Sequence, residues 1–334
     1  MTNLKKIQNW INNNNIDFII LNRSDEYLNE YIAPYAERLK WISNFSGSAG
    51  RAIISMNKAI IFVDGRYTDQ VKKEVNKKYF IIKHINQYWD WLEKNIGKKK
   101  IISIDPRLHS IIEINKLKKI IIDSNCQLKL LYNNPIDFFW KNQPKCSVSN
   151  SFFHEKKYSG KTTKQKIESV CSLLKKRSVD YYFLNSLDSI AWLLNIRGRD
   201  LSYTPFIFCY AVICQNKKVN LFIDIKKIRL IKKHLKNHVN FLSINKISNF
   251  FEKFDNNFNI GMDINRTNYY FKDLCEINNI KIKYENDPCY YLKSIKNNIE
   301  INGAKKSNFR DGLSVTKFIY WLKNKMKIND NDEL

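Results

Sequence analysis

Histidines are the residues of this chain best suited to bind a metal ion, and two of them lie four positions apart. His234 and His238 could share one face of a lysine-rich helix. No glutamate follows His234, as an H-E-x-x-H site would require, and no third ligand is apparent. The remaining histidines, His84, His109 and His154, have no neighbouring cysteine or carboxylate cluster. We therefore predict that His234 and His238 are surface residues and that this chain holds no metal site.

Three aspartates, Asp64, Asp224 and Asp263, each end an apolar run with strand character. A carboxylate directly after a strand more often caps a turn than binds a metal ion, because it can accept hydrogen bonds from the next backbone N–H groups. We therefore predict that these three aspartates cap turns.

The segment Gly47-Ser48-Ala49-Gly50 places a serine among glycines, which raises the question of a phosphate loop or a catalytic nucleophile. It lacks the lysine and the spacing of a P-loop, and it does not match the G-x-S-x-G pattern of a nucleophile elbow. We predict a structural turn into the following strand, in which glycine allows the backbone a positive φ.

The elements that would position these residues occur twice along the chain. Each copy consists of a helix, a buried-type strand, a W-x-x-N-x-x-G loop and a hairpin. The first copy is predicted at residues 4–11, 18–21, 41–47 and 52–63, and the second at 164–176, 181–184, 192–198 and 206–223. Antiparallel hairpins with flanking helices indicate mixed sheets. We predict an α/β fold with two related domains, residues 1–150 and 151–288, and a linker at 144–163.

A third segment, residues 289–334, follows the second domain. Within it, residues 296–323 form one long helical pattern that leads to Trp321. The apolar residues of this pattern include Ile299, Ala304, Phe309 and Leu313. Such a helix needs a partner to cover its apolar side, and we expect no third domain within this chain for it to pack on.

The chain is strongly basic, with 57 lysine and arginine residues against 32 aspartate and glutamate residues and a formal net charge of +25. The lysines are spread along the whole sequence together with asparagine and isoleucine, as an AT-rich coding sequence would produce. They form no clustered stripe and accompany no nucleic-acid motif. We therefore predict that the protein does not bind nucleic acid.

Hydropathy and cysteine content favour the cytoplasm. The longest nearly unbroken apolar stretch, residues 206–214, is about half of the roughly 18 residues that a membrane-spanning helix needs. The amino terminus has no apolar signal region. The seven cysteines include no C-x-x-C pair, so neither a disulfide framework nor a zinc knuckle is indicated. We predict a cytoplasmic protein that does not bind membranes.

Four blocks of the chain resemble, in the same order, signature segments of the Xaa-Pro aminopeptidase (aminopeptidase P) family in its long, three-domain form. They fall within residues 25–50, 62–67, 188–198 and 293–312. Their sequences include Phe45-Ser46-Gly47-Ser48-Ala49-Gly50, Phe62-Val63-Asp64-Gly65-Arg66-Tyr67, Trp192-Leu193-Leu194-Asn195-Ile196-Arg197-Gly198 and Lys293-Ser294-Ile295-Lys296-Asn297. The resemblance extends from about residue 17 to residue 322.

The resemblance implies two tandem creatinase-type amino-terminal domains followed by the first helix of a truncated "pita-bread" catalytic domain. In this family the catalytic domain binds two divalent metal ions, usually manganese, through two aspartates, a histidine and two glutamates. We expect these ligands beyond residue 334, so this chain should have no catalytic residue or metal ligand of its own and should be inactive alone. The complete enzyme would be a homodimer that removes the first residue from peptides with proline second.

Arg66 is the one substrate-binding residue that the resemblance assigns to this chain. It stands in the D-G-R-Y block, where the family has a substrate-binding arginine. A guanidinium can hold a peptide carbonyl or carboxylate with paired hydrogen bonds. The alternative is a structural ion pair with Asp64 or Asp69.

Two other functions stay open. The chain could be a non-catalytic binding or assembly protein built from creatinase-type domains, and its positive charge would suit an acidic partner. It could also come from a creatinase or a prolidase. The tandem domains favour the long aminopeptidase form over this last alternative.

Overall fold

The first sheet is built around strand β1, which is apolar at every position except its last. The computed structural model describes residues 1–326, and the end of the predicted third segment, 327–334, lies outside the described residues. The strands of the first sheet are β1 (Phe18–Asn22), β2 (Gly50–Ile54), β3 (Ala59–Val63), β4 (Phe80–His84), β5 (Ile101–Ile104) and β6 (Gln127–Leu130). Their order is β4-β3-β2-β1-β5-β6. The β1–β2 and β2–β3 pairs are antiparallel, and the other pairs are parallel.

The second sheet repeats the first strand by strand. The remaining strands of the described chain are β7 (Phe152–Phe153), β8 (Tyr181–Leu184), β9 (Ile196–Arg197), β10 (Cys209–Cys214), β11 (Val219–Ile223), β12 (Val239–Ser243), β13 (Asn259–Met262) and β14 (Lys281–Tyr284). The sheet order is β12-β11-β10-β8-β13-β14, while β7 and β9 form a separate ribbon. As in the first sheet, two neighbouring pairs, β8–β10 and β10–β11, are antiparallel and the others are parallel. The predicted repeat and the predicted mixed sheets are confirmed.

Helices cover both sheets. In chain order they are α1 (Asn3–Asn13), α2 (Arg38–Ser43), α3 (Thr68–Glu74), α4 (Tyr88–Asn95), α5 (Ile111–Asp123), α6 (Pro135–Phe139), α7 (Lys156–Ser159), α8 (Thr163–Lys176), α9 (Leu187–Leu194), α10 (Lys232–Leu235), α11 (Ile247–Glu252), α12 (Tyr269–Ile277), α13 (Pro288–Ser294) and α14 (Asn298–Met326). A capping box formed by Thr162 and Gln165 starts α8. This start lies within one residue of the predicted one.

Both faces of the first sheet are buried at its inner strands, which explains why β1 and β3 are nearly continuous apolar runs. Ile19 and Leu21 pack with Ile7 of α1 in one cluster, whereas Ile20 packs with α4 and α5 in another. Successive side chains of a strand point to opposite faces, so one apolar run serves two cores. The second domain has its own core, to which the first domain contributes Tyr27.

The stretch predicted as a linker, residues 144–163, packs against the second domain and contains β7 and α7. Ser151 is buried, and its backbone N–H donates to the carbonyl of Lys227 (3.1 Å). The Ser149 hydroxyl donates to Asp200 Oδ1 (2.9 Å). The linker prediction was therefore wrong for this part of the stretch, because its serines find partners in the folded domain. The domain limits at residues 150 and 288 stay predictions.

The strand predicted at residues 206–213 begins later, at Cys209. The backbone N–H of Phe208 donates to the Asp200 carboxylate (2.8 Å) rather than to a neighbouring strand. The Phe208 ring instead stacks on Tyr27 of the first domain, with centroids 4.8 Å apart. The apolar character of this segment therefore reflects packing between domains as well as strand pairing.

The two domains are joined through the starts of α5 and α12. Ser110 and Asn268 form an antiparallel bridge. On either side of it, the backbone N–H of Ile111 donates to the carbonyl of Thr267 (3.1 Å), and that of Tyr269 donates to the carbonyl of His109 (2.8 Å). Main-chain hydrogen bonds at this bridge, together with the stacking of Phe208 on Tyr27, therefore fix one domain against the other.

Helix α14, with 29 residues, extends from the second domain at the position of the predicted long helix. It is attached at its start, where Asn297 Nδ2 donates to the carbonyl of Ser159 (3.0 Å). Further along, its apolar side chains are exposed, as Phe309 and Trp321 are. Neither α14 nor any other helix within residues 1–326 has the apolar length needed to cross a membrane.

Candidate functional site

Arg66 lies in a short 3₁₀ turn, Gly65–Tyr67, directly after β3. Asp64 forms this turn, since its Oδ1 accepts hydrogen bonds from the Arg66 backbone N–H (3.0 Å) and from Arg66 Nε (2.9 Å). The hydrogen bond from the Arg66 side chain is the main cause of the lowered pKa of Asp64. The predicted turn-capping role of Asp64 is confirmed.

The Arg66 side chain is 67% exposed. No group among residues 1–326 accepts a hydrogen bond from its two terminal amino groups. The ion pair with Asp64 that was the predicted alternative is present, while Asp69 pairs with Lys72 (3.0 Å). Because the Asp64 pair uses Nε, the outer edge of the guanidinium still offers paired donors to a carboxylate or a carbonyl. The substrate-binding role of Arg66 stays a prediction.

Tyr67 connects this turn to the Gly47-Ser48-Ala49-Gly50 segment. Its hydroxyl shares a hydrogen bond with Ser48 Oγ, and this bond is the main cause of the lowered pKa of Tyr67. The Tyr67 ring meets Phe45 edge-on, with centroids 5.7 Å apart. Ser48 is thus engaged in a hydrogen bond with Tyr67, and the Gly47–Gly50 segment packs beside the turn that carries Arg66.

The predicted positive φ in the glycine segment was wrong, because neither Gly47 nor Gly50 has a positive φ. What requires glycine here is space. A Cβ atom on Gly47 would overlap the Phe45 ring and lie 2.9 Å from Tyr67, and one on Gly50 would lie 2.9 Å from Phe45. Phe45 is close to both glycines in the sequence, but its ring is held against the segment by Tyr67 from the turn after β3, and this tertiary contact is not visible in the local sequence.

The asparagines of both W-x-x-N-x-x-G motifs end a helix. Asn44 follows α2 with a φ of 66°, and Asn195 follows α9 with a φ of 52°. Asparagine adopts the left-handed conformation more readily than most residues, so it can replace glycine after a helix. The repeated motif is therefore a helix stop that directs the chain into the next strand.

The other two predicted capping aspartates behave like Asp64. Asp224 Oδ1 accepts from the backbone N–H of Lys226 (3.0 Å), and Asp263 Oδ1 accepts from that of Asn265 (2.9 Å). Both predictions are confirmed. Among residues 1–326, no group of three or more histidine, cysteine, aspartate and glutamate side chains could hold a metal ion.

His234 and His238 do not share a helix face, and that part of the prediction was wrong. Helix α10 is a single turn that ends at Leu235. His234 is exposed, as predicted, and its ring stacks on Phe153 with centroids 4.4 Å apart. His238 is half-buried before β12.

His109 has a buried polar environment that sequence analysis missed. Its Nδ1 lies 3.1 Å from Glu113 Oε1 and 3.0 Å from Asn22 Nδ2. Arg51 donates to the same glutamate oxygen (2.7 Å). Burial raises the pKa of Glu113, but the interactions with His109 and Arg51 outweigh it and lower the pKa to about 2. The i, i+4 spacing of His109 and Glu113 at a helix start was the signal that could have indicated this cluster.

A cleft of about 590 Å³ lies between the two domains. Residues 27–31 line it on the first domain, and Asp25 holds this loop in place. Asp25 Oδ1 accepts from the backbone N–H groups of Tyr27 and Asn29, both at 3.0 Å. Burial raises the pKa of Asp25 to about 6. Its counterpart in the repeat, Asp188, lines the second-domain side, where it pairs with Lys293.

Comparison with known proteins places this geometry in a family. Two family models, both described as the creatinase/prolidase N-terminal domain, match residues 3–131 and 142–300. A probable Xaa-Pro aminopeptidase P from Laccaria bicolor is 30% identical over 333 residues, which cover 97% of this chain and 51% of that protein. Xaa-Pro aminopeptidase 1 from Dictyostelium discoideum is 29% identical over 346 residues, covering 99% and 54% respectively.

The solved structure of X-prolyl aminopeptidase from Caenorhabditis elegans, described as a cytosolic enzyme with a di-nuclear active site, has the same fold. It superposes with a TM-score of 0.87 at 24% sequence identity, covering 93% of this chain and 52% of that chain. The chain therefore spans about half the length of the relatives it matches. It belongs to the creatinase/prolidase N-terminal domain family, with two such domains in tandem as in the Xaa-Pro aminopeptidases.

Proposed function

We propose that this chain is the amino-terminal part of an Xaa-Pro aminopeptidase. The observation that carries the proposal is the tandem pair of domains, which superposes on an X-prolyl aminopeptidase over 93% of this chain. A single creatinase-type domain would be compatible with several peptidases, but two domains in this arrangement favour the long form. The complete enzyme would hydrolyse the peptide bond before a proline at position two and release the first residue.

The hydrolysis would depend on two divalent metal ions, for which we propose manganese. The residues described here, 1–326, do not fit such a centre, since they contain no group of three or more candidate ligands. The ions would be held by a catalytic domain outside this chain. We therefore expect residues 1–334 alone to be inactive.

Arg66 would be the contribution of this chain to substrate binding. Its guanidinium is exposed, and Asp64 fixes its orientation through Nε. The outer edge would receive a carbonyl or carboxylate group of the peptide through paired hydrogen bonds. This role requires the turn after β3 to face the catalytic domain in the complete enzyme.

Helix α14 would be the first helix of that catalytic domain. Its exposed apolar residues, among them Phe309 and Leu313, would be covered by the rest of the domain. We further propose that the complete enzyme is a cytoplasmic homodimer.

The same exposed helix favours a second candidate function. A non-catalytic protein of two creatinase-type domains could use the apolar side of α14 to bind a partner. The two candidates differ in what covers α14, which is either the same polypeptide or another protein.

Peptide hydrolysis separates these candidates. Residues 1–334 and the complete gene product would be purified and assayed with added manganese on a tripeptide with proline second. We expect turnover by the complete product and none by residues 1–334. Turnover by the short chain would contradict the placement of the metal centre, and an inactive complete product would favour the assembly protein.

A further inference from the structure

A cleft of about 820 Å³ lies between the second domain and the first turns of α14. The second domain contributes Lys166 and Arg197 to its wall, together with the ring of Trp192, and α14 contributes Lys306 and Arg310. Glu300 is the only acidic residue among the described residues that line it. The cleft therefore has an excess of positive charge on both of its sides.

Lys166 differs from the other buried cations of residues 1–326. Its side chain is 2% exposed, and its ammonium donates to two neutral oxygens, the carbonyl of Trp192 (3.0 Å) and Asn195 Oδ1 (2.8 Å). The other buried lysine and arginine residues each form an ion pair, namely Arg38 with Glu26 and Asp137, Lys227 with Asp200, and Lys272 with Glu276. Lys166 alone among them has no carboxylate partner.

Arg197, on the same wall of the cleft, also lacks a carboxylate partner in the described chain. It is half-buried, and its Nη1 donates to the backbone carbonyls of Ala191 (2.8 Å) and Ile196 (2.9 Å). Within residues 1–326 it has no ion pair. A buried or half-buried charge is costly unless an opposite charge compensates it.

We propose that this cleft is a binding site for an oxyanion ligand, which Lys166 and Arg197 hold at its wall and Lys306 at its mouth. The anion would add to the single negative charge of Glu300, which acts on both Lys166 and Arg197 without forming an ion pair with either in the described chain. Lys306 contributes because it lines the cleft without an ion pair of its own in the described chain. The proposal concerns binding alone and does not depend on peptidase activity.

The burial that leaves these cations without a counter-ion also shifts their pKa values. Burial lowers the pKa of Lys166 to about 8, and burial also lowers the pKa of Arg197 and of His154. Other charged or titratable groups that face Lys166 are Glu300, Lys161 and Cys289. A bound anion would favour the charged ammonium and raise the pKa of Lys166, so binding near pH 8 should take up protons.

Isothermal titration calorimetry on residues 1–334, with inorganic phosphate and with succinate as separate probes, tests the site. We expect saturable binding of at least one probe, and the tighter one identifies the ligand chemistry. Arg197→Met should weaken binding by at least about tenfold, because it removes a charge-assisted contact. Lys306→Gln, which changes an exposed residue and leaves the fold intact, should weaken it by about threefold.

Lys305→Gln is the matched control, because this neighbouring α14 residue carries the same charge and does not line the cleft. It should leave the affinity unchanged. Titrations at pH 8 in two buffers with different ionisation heats should show proton uptake that Lys166→Met abolishes. Absence of saturable binding by both probes would overturn the proposal, and so would an equal loss of affinity in the Lys305 and Lys306 variants.

Discussion

Ser110 and Asn268, 158 positions apart in the sequence, face each other across the bridge that joins the two domains. Each is the N-cap of a helix that follows an equivalent strand, α5 after β5 and α12 after β13. In one flanking hydrogen bond, the residue after Ser110 donates to the residue before Asn268. In the other, the residue after Asn268 donates to the residue before Ser110. Exchanging the domains therefore exchanges the two bonds.

This contact has approximate two-fold symmetry within one chain. A self-complementary contact of this kind is what a symmetric dimer of single domains would use. The repeat in the sequence thus has a structural counterpart in the way the two copies meet. The side chains break this symmetry, since Asp25 is fully buried behind the loop that lines the cleft, whereas Asp188 is half-buried, lines the cleft and pairs with Lys293.

Replacing Arg66 tests the substrate-binding site in the complete enzyme. Arg66→Ala should raise KM for peptides with proline second by about 10- to 100-fold, the equivalent of losing a charge-assisted contact. Arg66→Lys should recover only part of this loss, because an ammonium lacks the paired donors. Lys72→Ala is the matched control, an exposed cation of the same domain in a similar ion pair. Unchanged steady-state kinetics in Arg66→Ala would remove this residue from the site.

Gly47→Ala tests whether space rather than backbone conformation requires glycine in the turn before β2. We expect a loss of about 1–3 kcal/mol in the free energy of unfolding, because the added methyl group overlaps the Phe45 ring. Urea denaturation followed by circular dichroism would measure it. Gly65→Ala is the control, since its Cβ would have its nearest neighbour, His84 Nε2, at 3.4 Å. Equal stability of the two variants would contradict this explanation.

The buried ion pair between Lys227 and Asp200 should anchor residues 149–151, which lie in the stretch predicted as a linker. The two side chains are 4% and 0% exposed and lie 2.7 Å apart. Lys227→Met would leave the Asp200 carboxylate without its counter-ion and should cost about 3–5 kcal/mol in the free energy of unfolding.

Lys226→Met is the control for this change, because the neighbouring lysine is exposed. Urea denaturation of both variants should separate them clearly. The packing of residues 149–151 should loosen in the Lys227 variant, and faster amide exchange at Ser151 would report it. A Lys227 variant as stable as the control would show that the pair does not anchor the segment.

The raised pKa of Asp25 predicts that the stability of the protein depends on pH. Its pKa in the folded protein is about 6, raised by burial from 3.8. Between these values the folded protein retains a proton that the unfolded chain releases. The stabilising contribution of Asp25 is therefore present below about pH 4 and is lost as the pH rises through 6, and about 3 kcal/mol is involved.

The measurement is the unfolding free energy of the wild type minus that of Asp25→Asn. This difference should fall by roughly 2–2.5 kcal/mol between pH 4 and pH 7, which is most of the full contribution. Asp188→Asn serves as the control, because that carboxylate occupies the equivalent position of the repeat but is only half-buried and pairs with Lys293. A difference for Asp25→Asn that does not change with pH would contradict the buried, protonated carboxyl group.

Sequence predicted those parts of the structure that depend on local patterns. The repeat was visible because helix periodicity, apolar strands and the W-x-x-N-x-x-G motif recur in the same order. The motif was predicted only as a loop, and the structure adds that Asn44 and Asn195 end helices within it. The capping of turns by Asp64, Asp224 and Asp263 is likewise local, since each accepts a hydrogen bond from the backbone two residues later.

Features that depend on distant contacts could not be predicted in this way. The glycine at position 47 is required in part by Tyr67, which comes from the turn after β3. Lys166 is buried against Trp192 and Asn195, which lie 26 and 29 positions further along the chain. Asp200 and Lys227 pair only once the second sheet has formed. In each case the deciding neighbour is set by the fold, whereas the residue type alone suggests an ordinary turn or a surface charge.

Reading the coding sequence beyond codon 334 tests the central claim most directly. If this chain is the amino-terminal part of an Xaa-Pro aminopeptidase, the reading frame should continue and encode two aspartates, a histidine and two glutamates as metal ligands. A stop codon directly after Leu334 would contradict the claim and leave a short protein whose exposed α14 binds another partner.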